Sequence, residues 1–201
     1  SKLDEILGEI VVDEKIKARK EWAVLEEVVG APSRIKQIAK DIVSHFNNRP
    51  IEGKAMVVTM SRSIAVAMYN AIKNIEGAPE CAVIISGMDD FPGQIQVEHD
   101  VKKLEKRFKK TNDSLRLVIV CDMWLTGFDV PNMHTMYLDK PLKNHGLMQA
   151  IARVNRVYKD KPGGLIVDYI GIADNLKKAL ALYDTDVQRE AMIPLDEVIV
   201  E

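Results

Sequence analysis

Cysteine is scarce in this 201-residue chain: only Cys81 and Cys121 occur, each inside an apolar run. Two such thiols read as buried and reduced, as in a cytosolic protein, against the alternative of one disulfide. No apolar run reaches the length of a membrane span and no signal peptide opens the sequence, so a cytoplasmic protein without membrane contact is expected. The four histidines, His45, His99, His134 and His145, are scattered without metal-ligand spacing, so no metal site from protein ligands is expected. Charge of one sign is also missing. The net charge is −2, and any contact with nucleic acid must come from a local patch. A glycine-rich phosphate loop, G-x-x-x-x-G-K-[ST], is absent as well. Gly53-Lys54 is the one glycine-lysine pair, but Ala55 follows it and Asn48 stands at the first glycine's place. No acidic D-E-x-H box and no nuclease constellation of paired acids and lysine is found either.

What is present is a soluble α/β composition, 47% hydrophobic and 29% charged, long enough for one domain with a real core. Leu3 to Val11 shows helical spacing, and a second charged helix is expected from about Asp13 to Val29. Gly30-Ala31-Pro32 breaks it, and Ser33 is a plausible N-cap for a helix with Ile35, Ile38, Ala39, Ile42, Val43 and Phe46 inward. From Lys54 strands and helices alternate. Expected strands are Ala55 to Met60, Cys81 to Ile85, Leu115 to Cys121, Thr135 to Leu138 and Leu165 to Ile170. Expected helices carry Ile64, Met68 and Ile72, then Val97, Val101, Leu104 and Phe108, then Leu176, Ala179 and Tyr183 on their inner faces. The pattern implies a parallel sheet with helices on both faces.

In such folds function gathers outside the carboxyl edge of the sheet. Three post-strand segments are polar or glycine-bearing: Ser61-Arg62, Ser86-Gly87, and Asp122 to Pro131. Gly127 permits close backbone approach, and Asp129 could accept hydrogen bonds from a ribose hydroxyl or simply cap a turn. Trp124 could stack on a base, though packing against the sheet is favoured. The basic run Lys102 to Lys110 is diluted by Glu98, Asp100 and Glu105, which favours a solvated helix face over DNA contact.

The segment Leu147 to Tyr158 joins these features. As a helix it places Leu147, Ile151, Val154 and Tyr158 on one side. Gln149, Arg153 and Arg156 fall on the other within an arc of roughly 60°. Two guanidiniums on a narrow polar stripe suit the phosphates of a nucleotide, although the spacing alone fits a solvated face with two ordinary surface arginines equally well.

Taken together, VCDMWLTGFDVP and QAIARVNR resemble the fifth and sixth motifs of superfamily 2 helicases, and VVTMSR sits where the fourth belongs. The wording TGFDVP followed by YLDKPLKNHGLMQAIARVNRVY is most similar to the motor (R) subunit of type I restriction enzymes. The resemblance implies a RecA-like second motor domain over residues 51–183, a helical extension from the preceding motor domain over 1–50, and a tail over 184–201 leading to a following domain. It implies an ATP-dependent DNA translocase and endonuclease. ATP and Mg²⁺ would be bound mainly by a first RecA-like domain of the same polypeptide, with these 201 residues inactive alone. Arg156 would be the arginine finger and Arg153 its assistant at the phosphates, with Gln149, Gly127 and Asp129 contributing to the nucleotide site. Ser61, Arg62 and Ser86 would lie along the backbone of double-stranded DNA. Methyltransferase and specificity subunits would be the further partners. Two departures stand out: Cys121 where many helicases have threonine, and Asn155 where glycine is common between the arginines. The rivals are the second domain of another superfamily 2 helicase, acting on RNA or in repair, and a non-catalytic RecA-like scaffold.

Overall fold

The computed structural model describes residues 2–91, 100–125, 128–142, 144–154 and 163–171. Its elements in chain order are α1 (Lys2–Val29), α2 (Pro32–Asn48), β1 (Lys54–Thr59), α3 (Arg62–Lys73), β2 (Glu80–Ile84), α4 (Val101–Lys109), β3 (Leu115–Val120), β4 (Met133–Asp139), α5 (Asn144–Val154) and β5 (Leu165–Asp168). The strands form one sheet in the order β2-β3-β1-β4-β5, and every pairing is parallel. β1 is central, and all six of its residues are buried. That is why it reads as an unbroken apolar run and not as an alternation.

Successive residues of β1 serve opposite layers. Ala55 and Val57 join a cluster with Ile38, Ile42 and Phe46 of α2 and Ile64, Met68 and Ile72 of α3. Met56 and Val58 join a second cluster with Leu104 and Phe108 of α4 and Leu147 and Val154 of α5. The sheet is thus covered on both faces. All six residues expected to line the inner face of α2 are buried.

Three local expectations are corrected. One helix runs from Lys2 to Val29 where two were expected, since neither glycine nor proline separates the apolar residues around Val11 from Asp13. Ser33 does not cap α2. Ala31 holds the N-cap position without a side-chain bond and Pro32 opens the helix, because the fixed φ of proline is pre-organised for the first turn. The strands also shift by a residue or more, and β1 takes in Lys54, whose side chain is buried. Val97 and the helix expected after Asp174 lie outside the described residues.

Gly53 leads into β1 where the backbone is tight. A Cβ there would lie 2.7 Å from the His134 Cβ and 3.1 Å from the Asn132 carbonyl oxygen. His134 is held in β4 and the Asn132 carbonyl accepts from the Lys54 amide at 3.0 Å, so Gly53→Ala is expected to cost about 1–3 kcal/mol through displaced backbone. Chemical denaturation compared with the parent chain checks this.

Candidate nucleotide and nucleic-acid site

The loop after β3 cannot stay at one end of the sheet. β3 and β4 are parallel, so the chain must return from the exit of one to the entrance of the other. Residues 121–125 and 128–132, the described parts of that return, lie on the α4 and α5 side. Trp124 stacks on Phe128 with ring centroids 4.0 Å apart, and both rings stack against Phe108 of α4. Trp124 is buried among these rings, as the favoured reading held, although its φ of +67° is a costly conformation for a bulky residue.

This path corrects the expectation that the whole segment gathers outside the carboxyl edge. Asp122 is at that edge, but Asp129 stands four residues before Met133, where β4 begins. There Asp129 meets α5. Phe128, Asp129, Val130 and Met133 on one side and Gln149, Ala152 and Arg153 on the other line a pocket of about 200 Å³. Leu147 and Val154 of α5 are buried while Gln149 and Arg153 are half-buried, so the helix carries its polar stripe as the spacing requires. The Arg153 Nε donates to the Leu125 carbonyl at 2.7 Å, which ties the stripe to the return loop. The structure therefore brings Asp129, Gln149 and Arg153 together. Gly127, Arg156, Asn155, Tyr158 and the side chain of Ile151 lie outside the described residues.

Ser61, Arg62 and Ser86 form a second group at the carboxyl edge, beyond the ends of β1 and β2. The Ser61 hydroxyl caps α3 by accepting from the Ile64 amide at 3.3 Å. Arg62 Nη1 donates to the Ser86 carbonyl at 3.0 Å and to Asp90 Oδ2 at 2.7 Å. Beyond β3 and β4, Lys140 Nζ donates to Asp122 Oδ1 at 2.5 Å and to the Cys121 carbonyl at 3.3 Å. Burial works against the Asp122 carboxylate, but the adjacent Lys140 ammonium outweighs it and holds the group below its usual range. Burial pushes the Cys121 thiol up to about 11, so it is no ready nucleophile at neutral pH. Cys81 and Cys121 are both free and buried.

The Lys54 side chain is used within the fold: its Nζ donates to the carbonyls of Arg107 at 3.0 Å and Leu115 at 2.8 Å. The basic face of α4 is partly used within the fold. Arg107 is bonded to both Glu80 and Asp113, and Lys109 to Glu105.

Sequence reasoning missed a buried clamp behind the carboxyl edge. Arg34 Nη2 donates to Asp139 Oδ1 at 2.6 Å and to the Tyr169 carbonyl at 3.1 Å. Its Nη1 donates to Asp139 Oδ2 at 3.1 Å and to the Val29 carbonyl at 3.0 Å. One guanidinium so joins the end of α1, the start of α2, the end of β4 and the turn after β5. A charged residue near the start of an amphipathic helix carries no signal of a partner 105 positions away. A cavity of about 930 Å³ at the opposite, amino edge was also unforeseen; Gly53, Arg116 and Asn132 are among its lining residues.

The MjaIXP type I restriction enzyme endonuclease subunit of Methanocaldococcus jannaschii is 47% identical over 98% of this chain. The chain belongs to the type I restriction enzyme endonuclease (R) subunits. The HindI endonuclease subunit of Haemophilus influenzae is 46% identical over 79% of the chain. The family profile described as type I restriction enzyme subunit R domain 3 matches residues 89–171, which include the return loop and α5. This R-subunit chain spans about a fifth of the length of its curated relatives. Among solved structures, a fragment of an HsdR subunit from Vibrio vulnificus YJ016 superposes over 75% of the chain and 29% of its own, with a TM-score of 0.58 and 16% identity. T4 UvsW superposes over 75% of the chain and 27% of its own, with a TM-score of 0.53 and 21% identity. These two share the fold, a RecA-like parallel α/β sheet with helices on both faces. Among the described residues no helix is long and apolar enough to cross a membrane.

Proposed function

We propose that this R-subunit chain is the second motor domain of an ATP-dependent DNA translocase, working within a type I restriction-modification enzyme. The observation that carries the reading is the convergence of Asp129, Gln149 and Arg153 on one pocket, although 20 residues or more separate Asp129 from the other two in sequence. A scaffold has no need of a carboxylate, an amide and a guanidinium at one opening. In the proposed arrangement ATP lies between this face and the first RecA-like domain of the same polypeptide. Asp129 accepts hydrogen bonds from the nucleotide sugar, and Gln149 links nucleotide and nucleic-acid sites. Arg153 meets the phosphates together with Arg156 and, on its own side, holds the return loop through Leu125. The donor set fits a nucleotide: a planar guanidinium for phosphate oxygens and a carboxylate for hydroxyls. Mg²⁺ would be held mainly by the first motor domain and would supply screening of the phosphate charge there.

Double-stranded DNA runs along the carboxyl edge past Ser61, Arg62 and Ser86, read through its phosphates and without sequence preference. Closure and opening of the cleft with each ATP cycle shift the duplex. Methyltransferase and specificity subunits complete the complex in the cytoplasm, and a nuclease domain elsewhere in the polypeptide cuts DNA. In the full-length subunit, Asp129→Asn and Gln149→Ala are each expected to lower DNA-stimulated ATP hydrolysis by roughly tenfold or more, the scale of losing one or two charge-assisted hydrogen bonds. Full activity in both variants would remove the pocket from the nucleotide site.

A further inference from the structure

The Arg62 guanidinium, which the proposed function places on the DNA track, already holds an anion belonging to the chain itself. Its Nη1 is 2.7 Å from Asp90 Oδ2 and 3.0 Å from the Ser86 carbonyl oxygen, and the group lies 5.8 Å above the Phe91 ring. The loop is shaped for this contact. Gly87 has a φ of +64°, and a Cβ on it would collide with Arg62 Nη1 and lie 2.7 Å from Asp90 Oδ2. The next three residues, Met88–Asp90, make one tight turn that presents the carboxylate. Both partners remain open, with side chains 44% and 60% exposed. The neighbouring Lys140–Asp122 pair differs, because its lysine side chain is only 11% exposed and also bonded to a backbone carbonyl.

We infer that Asp90 is a built-in competitor for the DNA backbone: its carboxylate occupies Arg62 in the DNA-free subunit, and a DNA phosphate displaces it. The inference rests on the reading of Arg62 as a track residue. Carboxylate and phosphate each offer an anionic oxygen to a guanidinium N–H, so a phosphate oxygen can take the place of Asp90 Oδ2 without moving the arginine. The Ser86 carbonyl keeps Nη1 in place during the exchange. An exposed ion pair is weak enough to be exchanged readily. A DNA phosphate adds counterion release, which an internal carboxylate lacks, so DNA displaces Asp90 most readily at low salt. The effect is to lower the affinity of the motor for stray duplex without disabling the track.

The test is equilibrium binding of a short duplex to the full-length R subunit at low salt and without nucleotide. Asp90→Asn should tighten binding by roughly two- to fivefold, the scale of one exposed ion pair. In an Arg62→Gln background the same change should give no gain. Asp89→Asn, which removes the same charge one residue away, should give less than Asp90→Asn. Equal gains in both backgrounds, or equal gains from Asp89→Asn, would reduce the effect to bulk charge and overturn the inference. Failure of Arg62→Gln alone to weaken binding would instead overturn the track assignment on which the inference rests.

Discussion

Arg156→Ala in the full-length R subunit is expected to lower DNA-stimulated ATP hydrolysis by roughly 10³-fold or more, while ATP binding is largely kept. The physical reason is the timing of the charge. An arginine supplied from the opposite wall of a cleft meets the transferring phosphoryl group as negative charge builds on its oxygens, so it acts on the transition state and little on the ground state. The proposal places Arg156 in that role by resemblance and by its position three residues beyond Arg153. Arg153 opens on the pocket shared with Asp129 and Gln149 and is anchored through its Nε to Leu125. Arg156→Lys should recover little, because a single ammonium does not reproduce the planar fork. The check is steady-state hydrolysis at saturating DNA, paired with nucleotide binding measured directly.

Arg34→Gln is expected to destabilise the domain by about 3–5 kcal/mol, since it strands a buried carboxylate. The Asp139 side chain is fully buried and its two oxygens both accept from Arg34. Burial raises the Asp139 pKa above its ordinary value, and the Arg34 guanidinium opposes that rise. A carboxyl whose folded pKa lies above its unfolded one contributes stability that is complete below the unfolded pKa and is lost as pH rises through the folded pKa. Without Arg34 the folded pKa climbs further, so the cost of Arg34→Gln should be larger at neutral pH than in mild acid. Removing both charges, as in Arg34→Met with Asp139→Leu, should restore much of the loss. Hydrogen-exchange protection of β4 and β5 in the full-length subunit reads all three outcomes.

The architecture was largely legible in the sequence because its strongest signals are periodic. The unbroken apolar run of β1 and the inner face of α2 are found as expected, and Gln149 and Arg153, the described part of the α5 stripe, are half-buried on one pocket. What depended on a competing local preference was misread. Pro32 took the start of α2 from Ser33, and the long α1 shows no break where a second helix was expected to begin.

The site was legible in part. The approach of Asp129 to Gln149 and Arg153 could be anticipated from the order of the motifs, but not the end of the sheet at which they meet. That was set by the parallel course of β3 and β4 on either side of β1, which sends the loop back along the helical face. The Arg34–Asp139 clamp and the Arg62–Asp90 contact lay beyond reach for another reason. Each joins residues from separate elements, 105 and 28 positions apart, and a single sequence carries no sign of such pairs.

The most direct test is the structure of the full-length R subunit bound to duplex DNA and ADP with a fluoroaluminate mimic of the transferring phosphoryl group. The account predicts that Arg156 reaches the fluoride atoms, that Arg153 lies against the phosphates and that Asp129 faces the nucleotide sugar. A nucleotide held wholly by the first motor domain, with the Asp129–Gln149–Arg153 pocket turned away from it, would contradict the account.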